Sequence, residues 1–167
     1  MINYKKAAAM VALAFGLASG TVPAHADAPS GQFQIRKVHE TTRCVGWGHL
    51  NGHLWPIVNQ ACSDKQRTTW TYTADHRLVS DGHCLEAWHT FNFYLPILVK
   101  CERGKAAQEW NIHSEIDVWG NHIGHTIRPA VDHGLRLTWV GKDGGQLDIK
   151  KDSGGDAWQR FDFLKVS

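Results

Sequence analysis

Four cysteines have the most definite chemistry in this sequence, because paired thiols either form disulfides or bind a metal. They are Cys44, Cys62, Cys84 and Cys101. The two intervals between successive pairs are nearly equal, and neither resembles the closely spaced C-x₂₋₄-C pair that zinc sites prefer. Disulfides form in exported proteins, and the N-terminus described below is typical of one. Two disulfides are therefore predicted, with three possible pairings at this point.

Other reactive constellations are missing from the sequence. There is no G-x-S-x-G nucleophile elbow and no Walker loop, and bridged cysteines leave no thiol nucleophile. The pairs His49/His53 and His122/His125 could hold a metal from one face of a helix, but no helix is predicted there. We expect no enzyme activity, no metal and no cofactor. Scattered carboxylates can still meet in the folded chain, so a hydrolase is the enzyme class that the sequence leaves open.

Aromatic residues recur in register with the cysteines. Three segments open on a tryptophan and close on a second aromatic at nearly the same distance. The opening residues are Trp47, Trp88 and Trp139, and the closing residues are Trp70, Trp110 and Phe161. This pattern indicates a threefold internal repeat.

The repeat also selects one disulfide pairing. Equivalent cysteine positions in the first two units imply equivalent bridges, which predicts Cys44–Cys62 and Cys84–Cys101. Each bridge closes a short loop, which is worth roughly 3 kcal/mol in the chain-entropy account. The third unit has Gly134 and about Ile149 at these positions, so we expect it to hold by packing alone.

Short β-rich runs, rather than long helical periodicities, position these residues. Turn clusters such as SDGH and DSGGD separate the runs. The runs are FQIRKV (33–38), TWTYT (69–73), LPILVK (95–100), DVW (117–119), LRLTWV (135–140), QLDIK (146–150) and FDFLKV (161–166). Many short strands with regular turns predict an all-β barrel or sandwich. Three units that bury a core only against one another predict a barrel with threefold pseudosymmetry.

The segment 1–26 has the features of a secretory signal peptide. It begins with a basic region, continues with an apolar stretch at 7–18, and ends in an A-x-A site at Ala26. The apolar stretch is shorter than the ~20 residues of a membrane-spanning helix. We therefore predict cleavage near Ala26 and a secreted chain without a membrane span, beginning with a short extension at 27–32.

The charge balance excludes a polyanionic partner. Lys5 and Lys6 are the only charged residues of the signal segment, and without them the chain has equal numbers of basic and acidic side chains. Dispersed charges that sum to zero give no electrostatic footprint for nucleic acid or anionic lipid. No nucleic acid is expected among the partners.

The C-[LV]-x openings, the second cysteine of each pair and the closing Q-x-[WF] resemble the ricin B-type lectin repeat. The resemblance implies a β-trefoil domain at 33–167 and binding of galactose-type sugars. Its three pseudo-symmetric repeats would lie at about 33–73, 74–113 and 125–167, with an insertion at about 114–124. In that family the glutamine and closing aromatic largely serve the core, so Gln108 and Trp110 are expected to be structural first.

The resemblance also implies a sugar pocket in each repeat. The pocket uses a carboxylate after the first cysteine, an aromatic before the second, and an asparagine before the closing glutamine. Carboxylates accept hydroxyl donors, aromatic faces stack on C–H groups, and amides both donate and accept. The first repeat has Gly46, Gln60 and Arg67-Thr68 at these positions, and the third has Arg136, about Leu147 and Trp158-Gln159. The second repeat keeps a carboxylate, Glu86, but has Val99 and Ala107 for the aromatic and asparagine.

A sugar is therefore predicted in the second repeat. Glu86 would be central with Gln108 behind it, and Trp88, Asn92 and Tyr94 would wall the same pocket from the neighbouring loop. Trp88 would instead belong to the core if it occupied the same repeat position as Trp47 and Trp139. One shallow site of this kind predicts weak binding, with a Kd on the order of 1 mM.

Two classes of function remain open. The first is a secreted, monomeric carbohydrate-binding module whose partners are glycans or glycoconjugates. The second is a protein-binding or toxin-companion trefoil with degenerate sugar pockets and a secreted partner protein. The family resemblance and the aromatic-rich loops favour the first class, which is the one we expect. The missing pocket residues and the insertion favour the second class, and some secreted bacterial toxins use ricin-like subunits in this way.

Overall fold

The computed structural model describes residues 28–48, 55–141, 145–154 and 156–166. The predicted signal segment and its cleavage site lie outside the described residues, as do His49 and His53. Within the described part of the chain, no helix is both long and apolar enough to cross a membrane.

Twelve strands in three groups of four make up the described fold. The first group is β1 (Gln32–Lys37), β2 (Arg43–Trp47), β3 (Trp55–Ala61) and β4 (Thr69–Tyr72). The second group is β5 (Leu78–Ser80), β6 (His83–His89), β7 (Tyr94–Lys100) and β8 (Trp110–Ile116). The third group is β9 (His122–Pro129), β10 (Leu135–Thr138), β11 (Asp148–Lys151) and β12 (Phe161–Lys165).

Among the described residues, helix is confined to single turns. They are α1 (Lys65–Thr68) and the 3₁₀ turns Ala106–Gln108 and Ala157–Gln159. The chain is therefore all-β, as its short β-rich runs predict. The run DVW (117–119) is the exception, because it lies in a turn between β8 and β9.

The first and last strands of each group form a barrel. β1 pairs with β4 and β12, β4 with β5, β8 with β9, and β9 with β12. The circle closes between β5 and β8, where Arg77 bridges Glu109 and the Trp110 N–H donates to the His76 carbonyl at 2.7 Å. Equivalent strand residues fill the interior, for example Ile35, Leu78 and Ile127, which are fully buried.

The remaining strands form three hairpins that meet as a cap. They are β2–β3, β6–β7 and β10–β11. Trp55 of β3 pairs with Leu98 of β7, and Tyr94 of β7 pairs with Ile149 of β11. Val58 of β3 bridges Gln146, just before β11, and so closes the triangle. A six-stranded barrel with a triplet of hairpins is a β-trefoil, which confirms the fold that the resemblance implies.

The closing aromatics join barrel to cap. Trp70, Trp110 and Phe161 are fully buried. The Trp70 indole N–H donates to the Val45 carbonyl at 2.8 Å, and that of Trp110 to the Leu85 carbonyl at 2.9 Å. Each bond ties the last strand of a repeat to the second strand of the same repeat. Phe161 fills the same place by packing alone, since it has no donor.

The opening tryptophans are not all equivalent. Trp47 and Trp139 are buried, but Trp88 is 40% exposed. Trp47 is the third residue after Cys44, and the third residue after Cys84 is the buried Ala87. Trp88 follows one position later and so lies on the other face of its strand. Its sequence neighbour therefore takes the core position, and Trp88 is available to solvent.

Both predicted disulfides are confirmed. Cys44 is bonded to Cys62 and Cys84 to Cys101, with Cα–Cα distances of 5.0 and 4.9 Å. Cys44 pairs across the hairpin with Gln60, and Cys62 follows Gln60 by two residues. In the same way, Cys84 pairs with Val99, and Cys101 follows Val99 by two residues. The bridge thus links the start of the second strand of a repeat to the segment that leaves the third.

An ion pair takes the place of the disulfide in the third repeat. Arg136 pairs with Lys150 across β10 and β11, and Asp152 follows two residues later. The Arg136 Nη2 contacts the Asp152 carboxylate, and the Arg136 side chain is only 5% exposed. The expectation that Gly134 and Ile149 occupy the cysteine positions, and that packing alone holds this repeat, is therefore wrong.

The insertion contributes a second carboxylate to this ion pair. Residues 114–124 lengthen the β8–β9 hairpin and bring Glu115 Oε1 to 3.3 Å from Arg136 Nη1 and 3.6 Å from Arg128 Nη2. Arg128 Nη2 also lies 3.4 Å from Asp152. Two arginines and two carboxylates thus neutralise one another. Burial opposes ionisation of Asp152, but the Gly154 N–H and the Arg136 guanidinium outweigh it and hold its pKa below the ordinary value.

Replacing Asp152 with Asn should destabilise the protein in a pH-dependent way. Because the folded pKa is lowered, the stabilisation is complete above the unfolded pKa of about 3.9 and is lost as pH falls through the folded pKa. We expect Asp152→Asn to reduce the free energy of unfolding by about 1–2 kcal/mol at neutral pH, less than for a fully buried pair because Asp152 is partly exposed. Urea unfolding from neutral to acidic pH should show the difference shrinking. The control is Asp148→Asn, which faces the exposed Lys150 at 3.5 Å; equal losses in both variants would contradict the assignment.

The double variant Arg136→Cys/Asp152→Cys should form a third disulfide, because the two positions correspond to those of the native bridges. We expect no free thiol under denaturing conditions and a reduction-sensitive gain in stability over Arg136→Ala/Asp152→Ala, which removes the same ion pair. In the chain-entropy account such a bridge contributes roughly 3 kcal/mol. Thiol titration and thermal unfolding with and without reductant measure both effects. Two free thiols in the oxidised double variant would show that positions 136 and 152 do not correspond to the cysteine positions of the first two repeats.

Candidate functional site

Glu86 lies beneath other side chains rather than at an open surface. It is 6% exposed on β6. Its Oε2 accepts a hydrogen bond from Gln108 Nε2 at 2.9 Å and lies 2.9 Å from Lys105 Nζ. The hydrogen bond to Glu86 is the main cause of a raised pKa at Lys105, and it outweighs the opposing effect of burial. Glu86 is the residue predicted to bind a sugar, and one of its carboxylate oxygens already contacts two donors of the protein.

Gln108 fastens the 3₁₀ turn to the end of β7. It is fully buried, its Nε2 also donates to the Lys100 carbonyl at 3.0 Å, and its Oε1 accepts from the Glu102 N–H at 2.8 Å. These bonds use both ends of the amide within the protein. Gln108 is therefore a structural residue, and Glu86 is one of its hydrogen-bond partners.

The third repeat has the same arrangement around Gln159. Its Nε2 donates to the Lys151 carbonyl at 2.9 Å and to Thr138 Oγ1 at 3.1 Å, while its Oε1 accepts from the Ser153 N–H at 3.0 Å. Thr138 is therefore the counterpart of Glu86, and the expected counterpart Arg136 instead stands at the cysteine position.

The first repeat uses a residue that sequence reasoning missed. Thr68 stands two positions before Trp70, and Gln34 of β1 supplies the missing amide. Gln34 Nε2 donates to Thr68 Oγ1 and to the Cys62 carbonyl, both at 2.6 Å. No local pattern could identify Gln34, because it comes from another strand of the repeat. A Cβ on Gly46 would lie 2.9 Å from the Arg67 carbonyl oxygen, so this repeat has no room for a carboxylate there.

The other predicted pocket residues are only partly brought together. Trp88 shares a strand face with Glu86, since the two are two residues apart in β6. Asn92 is exposed in the turn between β6 and β7. Tyr94 pairs across the hairpin with His89, and their ring centroids are 4.6 Å apart. His89 and Tyr94 therefore lie on the opposite hairpin face from Trp88.

Exposed aromatic rings collect at the end of this hairpin. We call the segment 88–93 the β6–β7 tip. Trp88, Phe91 and Phe93 are all exposed there, and an open cavity of about 660 Å³ is lined by Trp88, His89, Thr90 and Phe91. This concave surface is apolar and offers few hydrogen-bonding groups.

A more polar cavity lies in the third repeat. It measures about 350 Å³, and its lining includes Thr138, Lys150, Ser153, Asp156, Trp158 and Gln159. We call it the third-repeat cavity. The Trp158 ring is 45% exposed, and Lys37 Nζ lies 4.4 Å from its centroid. Asp156 Oδ1 accepts from the Trp158 N–H at 3.0 Å and so orients the turn that carries the ring.

Sequence reasoning did not select this cavity, although one signal was present. Trp158 stands directly before Gln159, at the position where the family pocket has its asparagine. An exposed aromatic at that point offers a face on which the C–H groups of a sugar can stack.

No group of three or more metal-binding side chains occurs among the described residues. The rings of His122 and His125 contact each other with centroids 4.6 Å apart. Two imidazoles alone do not provide the four ligands of a structural zinc site.

Lys105→Met should destabilise the protein at neutral pH by removing the cation that pairs with the buried Glu86 carboxylate. Because the folded pKa of Lys105 is raised, its contribution is complete below about pH 10.4 and is lost as pH rises through the folded value. We expect a loss of about 1 kcal/mol in the free energy of unfolding, moderated because Lys105 is more than one third exposed. Denaturant unfolding at neutral and alkaline pH measures it, with Lys165→Met on β12 as the control. A loss at neutral pH no larger than that of the control would count against the pair.

Solved structures with the same fold include lectins and a toxin. A mosquitocidal holotoxin is 14% identical with a TM-score of 0.64, covering 84% of this chain and 18% of the toxin chain. The C-half of the earthworm R-type lectin, solved in complex with GalNAc, is 14% identical with a TM-score of 0.59 and covers 81% of this chain and 98% of that one. The β-trefoil lectin of the Vibrio vulnificus hemolysin/cytolysin, with N-acetyl-D-lactosamine bound, is 14% identical with a TM-score of 0.56 and coverages of 84% and 99%. At these identities the likeness is one of fold, and this chain spans less than a fifth of the holotoxin.

No curated protein matches the chain significantly. The sequence pattern of the family described as ricin-type beta-trefoil lectin domain matches residues 31–126. The match covers more than half of the chain, including both disulfides and the first two repeats with their closing tryptophans. The chain belongs to the ricin-type β-trefoil lectin family.

Proposed function

We propose that this chain is a carbohydrate-binding module that takes galactose-type glycans with weak affinity in the third-repeat cavity. Membership of a lectin family supports carbohydrate binding. The observation that carries the choice of cavity is the half-exposed Trp158 ring beside a carboxylate and two hydroxyl side chains.

The lining of this cavity provides the chemistry that a pyranose needs. The indole face of Trp158 stacks on the apolar C–H face of a sugar ring. Asp156 accepts hydrogen bonds from hydroxyl groups, Lys150 donates, and Ser153 can do both. The contact from Lys37 restrains the Trp158 ring before binding, and a preordered ring loses less entropy when a sugar arrives.

The second repeat is the weaker of the two candidate sites. The sugar-binding residues predicted there from the sequence are Glu86, Trp88, Asn92, Tyr94 and Gln108. A sugar there would compete with Lys105 for the Glu86 carboxylate, which is buried and already paired. Tyr94, on the other hairpin face, would not contact the same ring as Trp88.

One small, open site should bind weakly. We expect a Kd on the order of 1 mM for a single sugar, or about −4 kcal/mol. Useful avidity would then require clustered glycans or linked binding sites.

An NMR titration with galactose, lactose and N-acetylgalactosamine tests this assignment. In the parent protein, shifts should centre on Thr138, Ser153 and Trp158. Trp158→Ala should weaken binding about tenfold or more, because stacking on an aromatic ring contributes on the order of 1 kcal/mol or more. Trp119→Ala, which removes another exposed tryptophan, is the matched control and should bind like the parent.

Glu86→Gln distinguishes the two repeats in the same titration. It keeps the size of the side chain but removes its charge, and the third-repeat assignment predicts unchanged sugar affinity. If Glu86→Gln abolishes binding while Trp158→Ala leaves it intact, the sugar occupies the second repeat. If the parent binds none of the three sugars, the galactose-type specificity is wrong.

We also propose that the protein is secreted after cleavage near Ala26. The predicted signal segment and two disulfides support export, because disulfides persist in oxidising compartments. N-terminal sequencing of protein recovered from culture medium should find a start near Asp27. Retention of residues 1–26 in the mature protein would contradict it.

A second candidate function is binding to a secreted partner protein. The concave β6–β7 tip favours it, since Trp88, Phe91 and Phe93 form an apolar surface of the kind that receives a partner side chain. If a toxin or enzyme is encoded beside this gene, the two purified proteins should associate in size-exclusion chromatography. Phe91→Asp should prevent that association while Trp158→Ala preserves it; the opposite result would assign the contact to the third repeat.

A further inference from the structure

The β8–β9 hairpin projects beyond what the trefoil needs. Its counterpart between the first two repeats, β4–β5, turns within residues 73–77, whereas β8 and β9 continue to Ile116 and His122. We call residues 116–121 the β8–β9 tip. It belongs to no repeat pocket, and neither the third-repeat cavity nor the cavity at the β6–β7 tip includes it.

Three large apolar side chains are exposed together at this tip. Ile116, Val118 and Trp119 are 64%, 89% and 84% exposed. They stand at the end of a two-stranded projection and so form a convex apolar surface. Exposure of this extent on neighbouring residues of one turn marks an interaction surface.

The turn is ordered by its own hydrogen bonds. Asp117 Oδ1 accepts from the N–H groups of Trp119 and Asn121 at 2.9 and 2.8 Å. The Asp117 N–H donates to the Asn121 carbonyl at 2.9 Å, and the Gly120 N–H to the Asp117 carbonyl at 3.0 Å. Four backbone donors are thus satisfied inside the turn. The backbone of such a turn can leave bulk water at low cost, because its donors are satisfied within the turn, whereas the ionised Asp117 side chain must stay among polar groups.

The base of the hairpin is anchored in the barrel. Glu115, directly before the tip, accepts from Thr126 Oγ1 at 3.0 Å and faces Arg128 and Arg136. The apolar side chains therefore project from a braced support. Less conformational freedom is lost on binding when the presenting backbone is already ordered.

The tip and the sequence that flanks it contain no lysine or arginine that would attract it to an anionic surface. Residues 106–127 contain no lysine or arginine. Hydrogen bonds from the Asn121 side chain and backbone hold the pKa of Asp117 below its ordinary value, so this carboxylate stays ionised at neutral pH. Binding at this surface must therefore come from apolar contact.

We propose that the β8–β9 tip inserts its Ile116, Val118 and Trp119 side chains into the headgroup region of a zwitterionic lipid bilayer. The three side chains expose on the order of 400 Å², about half of what each partner contributes to a standard protein–protein interface. A bilayer needs no complementary surface and accepts single convex apolar projections. Tryptophan is enriched at this depth, where its ring is in an apolar and its N–H in a polar environment. The tip would hold the lectin domain against the membrane that carries its glycans.

Vesicle binding of the whole chain tests the proposal. The probe is large unilamellar vesicles of phosphatidylcholine alone, without glycolipid, and the measurement is co-sedimentation at low and high salt. We expect the parent protein to bind, with little dependence on salt because no cationic side chain is involved. Trp119→Ala and Val118→Asp should each weaken partition roughly tenfold or more, the effect of removing one buried large apolar side chain.

Two comparisons keep the test specific to the tip. Trp158→Ala removes an exposed tryptophan from the sugar cavity and should bind phosphatidylcholine like the parent. Fluorescence quenching by phosphatidylcholine brominated near the headgroup should be strong in the parent and reduced in Trp119→Phe. Both tip variants are at exposed positions, so unchanged thermal unfolding will show that they are folded.

Three results would overturn the proposal. The first is failure of the parent protein to bind phosphatidylcholine vesicles, even if the tip variants lose association with another protein. The second is equal vesicle binding by the parent, Trp119→Ala and Val118→Asp. The third is binding that requires glycolipid and is lost in Trp158→Ala, since that dependence belongs to the sugar site. Loss of sugar binding alone, with vesicle binding retained, would contradict the proposed function and leave the tip assignment standing.

Discussion

Each repeat depends on one cross-link between the start of its second strand and the segment that leaves its third. In the first two repeats the link is a disulfide, Cys44–Cys62 or Cys84–Cys101, and in the third it is the contact between Arg136 and Asp152. This constraint closes the hairpin against the turn that carries Thr68, Gln108 or Gln159. A disulfide is uncharged, but a buried ion pair is favourable only with good geometry and further polar contacts. The third repeat therefore also recruits Glu115 and Arg128 from the lengthened β8–β9 hairpin.

In the turn before the last strand of a repeat, a side chain that stabilises the fold is less available to bind a ligand. In the second repeat Gln108 and Lys105 both use the Glu86 carboxylate, which leaves it buried among protein donors. In the third repeat the small Thr138 takes that place, and the Trp158 ring stands beside an open cavity. A carboxylate that the fold uses is a poorer sugar ligand than its type alone indicates. The repeat that lacks it has an open cavity beside Trp158, where sugar binding is proposed.

The three surfaces at which binding is proposed lie outside the shared core. The closing tryptophans and the glutamines Gln108 and Gln159 donate hydrogen bonds to the protein's own backbone. The β6–β7 tip, the β8–β9 tip and the third-repeat cavity have exposed tryptophans instead. Turns and strand ends tolerate such residues because the barrel already buries enough apolar surface to keep the fold, and loops are where binding residues concentrate.

The sequence by itself determined the all-β class, the threefold repeat and both disulfides, because these depend on residue types recurring at nearly constant spacing. It did not determine register where that recurrence lapses. The third repeat has no cysteines to show that Arg136 corresponds to Cys84 rather than to Glu86. In the second repeat the tryptophan spacing places Trp88 with Trp47, although Trp88 is one residue further from its cysteine. Strand alternation turns a one-residue shift into a change of face, so the tertiary structure decided that Ala87 is core and Trp88 is exposed. It also decided which distant groups meet, such as Gln34 with Thr68 and Lys105 with Glu86, since those contacts depend on closure of the barrel and cap rather than on local spacing.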